Sequence, residues 1–327
     1  MKLGLLGGDQ QTLAGAAAAV AAGDTLGPAV GLPLDLQPTL PADPHPPAQW
    51  QLLLDSDRCD AVLVAITDWN EERADQVRTL VQASRPLLLN HPACLSMLWA
   101  YELDMILAES PATVVPYLPA RQHPLIATLR QFIEQSIAGG GPFGSLETLK
   151  LERRQTDRSR AAVLASLACD ADLIRVLIGD PARLLALGCV GDADWATLDI
   201  GFSGPDLLPV RWLVAKGSDL GLTIELVCAT GRLQLEVPDG AAGEWQLHQL
   251  PDAADQPLPI SSQISGPAFD PAAVTLETLR QEVARTPAEV ADETIAAATW
   301  ADAARTIELA ETVPRSLAQG RAVDLHQ

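Results

Sequence analysis

Basic residues are scarce in this chain. Against 42 aspartates and glutamates stand only 22 lysines and arginines, for a formal net charge of −20. A surface of that sign repels nucleic-acid backbones and anionic lipid, so neither is an expected partner. Long hydrophobic runs are also missing. Hydrophobic residues make up 48% of the chain, yet no apolar stretch nears the roughly 20 residues that span a bilayer. The opening Met1-Lys2, apolar run and alanines imitate a secretory leader, but Asp9, Gln10 and Gln11 interrupt it. The five cysteines are scattered, odd in number and never arranged as Cys-x-x-Cys. That excludes a disulfide framework and a structural zinc site, and it fits reduced thiols in the cytoplasm with no bound metal. Aromatics are only 4%. There is no Gly-x-Ser-x-Gly elbow, no His-Glu-x-x-His and no Walker loop. The run Gly139-Gly140-Gly141-Pro142-Phe143-Gly144 lacks the Lys-Ser or Lys-Thr of a phosphate cradle and reads as a turn between domains.

The 327 residues suffice for two domains. The first third alternates short apolar runs with helical segments. Lys2 to Leu6 ends in Gly7-Gly8, and an alanine-rich helix from Gln11 to Ala22 follows. Strand, glycine turn and helix open a Rossmann βαβ unit. Ala29 to Leu32, Ala61 to Ile66, Pro86 to Leu89 and Ala112 to Val115 read as further strands. Helices are expected at Trp50 to Leu54, Glu71 to Ala83 and Ala93 to Ala108. Continuous apolar strands between helices imply a parallel sheet with right-handed crossovers. After helices at Leu125 to Ile137 and Ala161 to Ile178, the pattern changes. From Arg183 to Pro238, LLALGCV, ATLDIGF, PVRWLVA, LTIELVC and RLQLEVP follow one another, several alternating apolar with polar. That is the mark of an antiparallel sheet with one wet face. Thr230-Gly231 suits a hairpin turn, and two helices, Ala273 to Arg285 and Asp292 to Val313, close the chain. The expected fold is α/β, a Rossmann parallel sheet over 1–120 and an α/β domain with a large, mostly antiparallel sheet over 121–327. The C-terminal helix is free to pack back on the first domain.

The glycine turn keeps only part of the dinucleotide fingerprint. It reads Gly7-Gly8-Asp9-Gln10-Gln11-Thr12, with only the first of three glycines in register. Asp9 stands where backbone meets pyrophosphate, and it also suits the N-cap of the first helix. Asp35 lies 28 residues beyond Gly7, later than the usual ribose-binding acid at about 20.

The order of these elements resembles the Gfo/Idh/MocA family, the glucose–fructose oxidoreductase and inositol dehydrogenase group. Besides the glycine turn, the resemblance rests on Asp60-Ala61-Val62-Leu63-Val64-Ala65-Ile66-Thr67, similar to the family's third Rossmann strand. It rests also on Arg85-Pro86-Leu87-Leu88-Leu89-Asn90-His91-Pro92, where members carry Glu-Lys-Pro. The last place is Trp300-Ala301-Asp302-Ala303-Ala304-Arg305, followed by Ser316, Gly320-Arg321 and Val323. It implies a nicotinamide cofactor, NAD or NADP, held by Gly7, Gly8, Asp9, Gln10, Thr67 and Asn90. It implies hydride transfer on a sugar, inositol or related polyol, and a homo-oligomer built through the C-terminal sheet.

The same resemblance places departures at the reacting groups. The lysine of Glu-Lys-Pro falls on His91. The histidine of the family's Gly-x-His-x-x-Asp helix falls on Cys169, while its aspartate survives as Asp172. Asp68 and Glu72 stand where members often have proline and histidine. His91 has the pKa range of a general base, and it equally suits a strand end. Cys169 suits a small buried apolar residue, and Asp172 an ion pair with Arg175 or Arg121. Two functions follow from the sequence. One is a divergent oxidoreductase with His91, Asp172 and Cys169 as its catalytic set and Tyr101 beside them. The other is a catalytically degenerate member that binds or assembles, recognisable by a glycine turn blocked by Asp9 or Gln10.

Overall fold

The computed structural model describes residues 1–33, 43–67, 69–139, 141–188, 195, 198–203, 208–215, 217, 220–238, 244–251, 258–259, 269–284 and 297–325. Asp35, Asp68 and Cys189 lie outside the described residues. The chain forms two compact units. The first joins Met1–Pro119 with Asp270–Ile307, and the second joins Ala120–Phe269 with Glu308–Gln327.

The first unit is built on six parallel strands. They are β1 (Lys2–Leu6), β2 (Thr25–Val30), β3 (Asp43–His45), β4 (Ala61–Val64), β5 (Leu87–Asn90) and β6 (Val114–Tyr117), in the order β3-β2-β1-β4-β5-β6. That is the doubly wound dinucleotide-fold order, whose direction reverses between β1 and β4. Side chains alternate across each strand, so the sheet feeds two cores. Leu6, Val62, Val64, Leu87 and Leu89 pack with α2 (Glu71–Gln82), α3 (Met97–Glu109) and the start of α7 (Trp300–Gln319). Leu3, Leu5, Ala61, Leu63 and Leu88 pack with α1 (Gln10–Ala21) and α6 (Pro271–Ala284). Alanines let α1 lie close to the sheet: Ala16 and Ala19 are fully buried in that contact.

The returning segment is anchored at both ends. Arg280 of α6 donates from Nε to Asp24 at 3.2 Å. Trp300 stacks edge-on against Trp99, which meets Trp69 the same way, with ring centroids 5.4 and 5.1 Å apart.

The second unit carries a nine-stranded sheet. Its strands are β7 (Leu146–Arg154), β8 (Arg183–Leu187), β9 (Asp199–Ser203), β10 (Pro209–Ala215), β11 (Gly221–Cys228), β12 (Gly231–Pro238), β13 (Gln246–Pro251), β14 (Leu258–Pro259) and β15 (Val323–Asp324), in the order β14-β13-β12-β11-β7-β10-β9-β8-β15. Only β7 and β10 run parallel; every other pair is antiparallel. The inner face presents Leu149, Leu151, Ile200, Trp212, Ile224 and Leu226, all essentially inaccessible. Asp170 of α5 (Arg160–Ile178) pins the helix to that face. It accepts from Arg153 Nε of β7 and Trp212 Nε1 of β10, both at 2.9 Å. The outer face is a lattice of cross-strand charge. Glu225 accepts from Lys150 at 3.3 Å and from Arg232 at 3.2 Å, and Asp199 accepts from Arg211 Nε at 2.9 Å.

The structure shifts several edges read from sequence. The second strand spans Thr25–Val30 rather than Ala29 to Leu32, and α3 starts at Met97 rather than Ala93. The β11–β12 turn centres on Ala229-Thr230, because Cys228 pairs with Gly231. Short β3, β13, β14 and β15 have no sequence signature.

Gly27 of β2 is where backbone meets backbone. A Cβ there would sit 2.5 Å from the Arg58 carbonyl oxygen. Gly27→Ala is therefore expected to destabilise the protein by about 1–3 kcal/mol, measured by urea unfolding. An unchanged midpoint and slope would contradict this close approach.

Candidate functional site

The ends of β1, β4 and β5 converge where the sheet order reverses, the place where open α/β sheets hold ligands. Here that place is organised by one carboxylate. Asp9 follows the glycine turn in extended backbone and caps α1. Its Oδ1 accepts from the Thr12 N–H and the Thr12 hydroxyl, each at 2.8 Å. Its Oδ2 accepts from the Ile66 N–H at 2.9 Å, just past β4. Asn90 Nδ2, at the end of β5, donates to both oxygens at 2.7 and 2.9 Å and contacts Thr12 Oγ1 at 3.2 Å. Asn90 is 2% exposed. The cap was legible from its place just before the first helix, and the cross-strand donors were not.

Gly7 adopts a left-handed φ of +78°, open to glycine at little strain. Its N–H donates to Val30 O at 2.8 Å. Over it lies Arg73 of α2, whose guanidinium donates to Leu6 O at 2.7 Å. A Cβ on Gly7 would fall 2.5 Å from that guanidinium nitrogen. Gly8 is buried, Gln10 and Thr67 are exposed. At the end of β6, burial pushes the Tyr117 phenol up to about 12, with Asp270 and Asp9 adding to the shift.

These residues do not fit a nicotinamide dinucleotide. In the fingerprint, glycine backbone and a helix N-terminus face the pyrophosphate. Here Asp9 puts a negative charge at that helix N-terminus, and Arg73 covers the face of Gly7. Two like charges about 4 Å apart at an effective dielectric near 20 repel by ~4 kcal/mol.

His91, next along from Asn90, is 4% exposed. Its Nε2 lies 2.9 Å from Thr306 Oγ1, which also lies 2.8 Å from Ala303 O. His91 Nε2 and the Thr306 hydroxyl thus share a buried hydrogen bond, its direction set by the imidazole tautomer. Burial pushes the His91 pKa down to about 3. The imidazole is neutral at physiological pH.

In the second unit, Asp172 of α5 is 1% exposed and forked by Arg121. Arg121 Nε donates to Oδ2 at 3.0 Å and its NH2 group to Oδ1 at 2.6 Å. Arg121 is one of the two partners read from sequence; the other, Arg175, pairs with Asp180. Cys169 lies on the same helix, and burial, then the Asp170 carboxylate, push its thiol up to about 12. A thiol so shifted carries almost no thiolate near neutrality. Tyr101 is exposed on α3, on one stripe with Leu98 and Met105. The sequence-derived set is therefore divided between the two units. Gly7, Asp9 and Asn90 come together in the first unit with Thr12, Ile66 and Arg73, which sequence reading had not singled out. His91 is held inside that unit by Thr306, and Cys169 and Asp172 belong to the other. Among the described residues no group of acidic, histidine and cysteine side chains is arranged to hold a metal ion.

A six-stranded parallel sheet in 3-2-1-4-5-6 order, followed by a large mostly antiparallel sheet, defines a two-unit α/β fold whose first unit is doubly wound. No family model and no curated protein sequence matches the chain. Solved structures do. The chain is similar to a myo-inositol dehydrogenase from Corynebacterium glutamicum, at 15% identity over 100% of this chain and 99% of that one, with a TM-score of 0.71. It is similar to the aldose-aldose oxidoreductase of Caulobacter crescentus, solved with glycerol, at 13% identity over 99% of each chain, with a TM-score of 0.76. A levoglucosan dehydrogenase in complex with NADH matches at 13% identity over 100% of this chain and 99% of that one, with a TM-score of 0.72. The chain carries the fold of the Gfo/Idh/MocA-type oxidoreductases, as the sequence resemblance implied. No described helix is long and apolar enough to cross a membrane.

Two measurements check this geometry. Arg121→Ala leaves the Asp172 carboxylate buried without its fork, and is expected to destabilise the protein by about 3–5 kcal/mol in urea unfolding; a change under about 1 kcal/mol would contradict the buried pair. For His91, the unfolded pKa near 6.5 exceeds the folded value of about 3. Between those values the unfolded state holds about one more proton, so stability falls as pH drops through that window, by about 1.4 kcal/mol per unit. His91→Gln is expected to flatten the stability–pH curve there by that slope. An unaltered slope would place a protonated imidazole in the folded protein.

Proposed function

We propose that the chain is a catalytically silent protein on the sugar and polyol oxidoreductase fold, a cytoplasmic homo-oligomer that binds or assembles instead of turning substrate over. His91 carries this reading. Polyol oxidation needs a group that takes the hydroxyl proton while hydride leaves. His91 stands at the family's lysine position, and it is buried with its Nε2 engaged by the Thr306 hydroxyl at 2.9 Å. Its basicity is depressed by burial to a pKa of about 3. The Asp172 carboxylate is matched by Arg121, and Cys169 is a neutral thiol. Assembly through the nine-stranded sheet is what the sequence resemblance implies for this reading.

The competing reading is a divergent NAD- or NADP-dependent oxidoreductase acting on a sugar, inositol or related polyol. The fold likeness favours it, including the dehydrogenase bound to NADH. A small polyol remains the ligand class to which both readings lead.

Purified protein with NAD or NADP and a panel of inositols, aldoses and alditols is expected to reduce cofactor no faster than a protein-free control. Light scattering is expected to give a mass of at least a dimer. Turnover that disappears in His91→Ala would overturn the silent reading, and a monomer mass at high concentration would overturn the assembly.

A further inference from the structure

We infer that the Asp9 carboxylate is an internal anion that takes the place of the cofactor's pyrophosphate, so that the protein fills its own phosphate site. The donor set is what an incoming anion would meet. It comprises an N–H in the first turn of α1, the Thr12 hydroxyl, the Ile66 N–H beyond β4 and the Asn90 amide beyond β5, all within 2.9 Å of Asp9 oxygens. Helix N-termini attract anions through aligned peptide dipoles and outward N–H groups. In this chain the anion is covalently attached, so it needs no binding from solution and pays no association entropy. Asn90 is buried and directed at the carboxylate; without Asp9, its amide and the Ile66 N–H would call for another acceptor.

Asp9 also ties three elements together. It links the α1 terminus to residues 57 and 81 positions further along the chain. The same contacts that exclude a dinucleotide hold the carboxyl edge of the sheet closed. This inference is independent of the fate of His91. A silent enzyme can keep its cofactor, and a protein that has closed its phosphate site has lost it whatever its proton-transfer groups do.

The test uses the full chain. NADH and NADPH binding is followed by nucleotide fluorescence and inorganic pyrophosphate binding by calorimetry, for wild type, Asp9→Gly and Asp9→Asn. Asp9→Gly removes the anion and restores a glycine of the fingerprint. Asp9→Asn removes the charge and keeps a capping oxygen for Thr12, so it serves if the glycine variant does not fold. Wild type is expected to bind neither probe at millimolar concentration. A folded variant is expected to bind NADH or pyrophosphate at least about tenfold more tightly, as removal of one like charge requires. Micromolar NADH binding by wild type would overturn the inference. So would folded variants, shown by circular dichroism, that bind no better than wild type. NADH binding by wild type without turnover would sink this inference and leave the silent reading in place. Turnover with cofactor would sink both.

Discussion

Everything at the carboxyl edge of the parallel sheet depends on where one negative charge is placed. Asp9 closes the helix that follows β1 and accepts donors from the ends of β4 and β5. Hydrogen bonds to a charged acceptor are among the stronger ones available to a protein. Several converge on one side chain at the point where the strand order turns. The crevice that the topology creates for a ligand is thereby spanned from within. Gly7 makes the turn that brings Asp9 there, and Arg73 lies over its outer face.

A second pattern runs through both units. Buried polar groups are partnered internally. His91 is hydrogen-bonded to Thr306, Asp172 is forked by Arg121, and Asp170 joins Arg153 to Trp212. Each has become a fastening between elements. A buried charge is tolerable only when it is paired.

Much of the architecture was legible in residue order. Lys2 to Leu6 before a glycine turn, AVLVAI from Ala61, and the alternating runs between Arg183 and Pro238 marked both sheets and their class, because burial on one or two faces writes itself into periodicity. The short strands β3, β14 and β15 at sheet edges and β13 beside one escaped, since two to six residues at a sheet margin need little apolar content. The candidate site was legible by half. Asp9 was legible as a cap from its place just before the first helix. Its links to Ile66 and Asn90 span 57 and 81 residues, and no local pattern records them. The same holds for Thr306, which sits 215 positions from His91. Sequence offered two arginines for Asp172, and the fork from Arg121, 51 positions away, is visible only in the tertiary packing.

The central claim is that Asp9 occupies the place of a dinucleotide phosphate. A crystal structure of the wild-type protein grown in saturating NADH tests it most directly. The expected electron density shows the Asp9 carboxylate bonded to Thr12, Ile66 and Asn90, with no nucleotide against the glycine turn. A dinucleotide lying over Gly7, with Asp9 rotated away from Asn90 and Arg73 displaced, would contradict it.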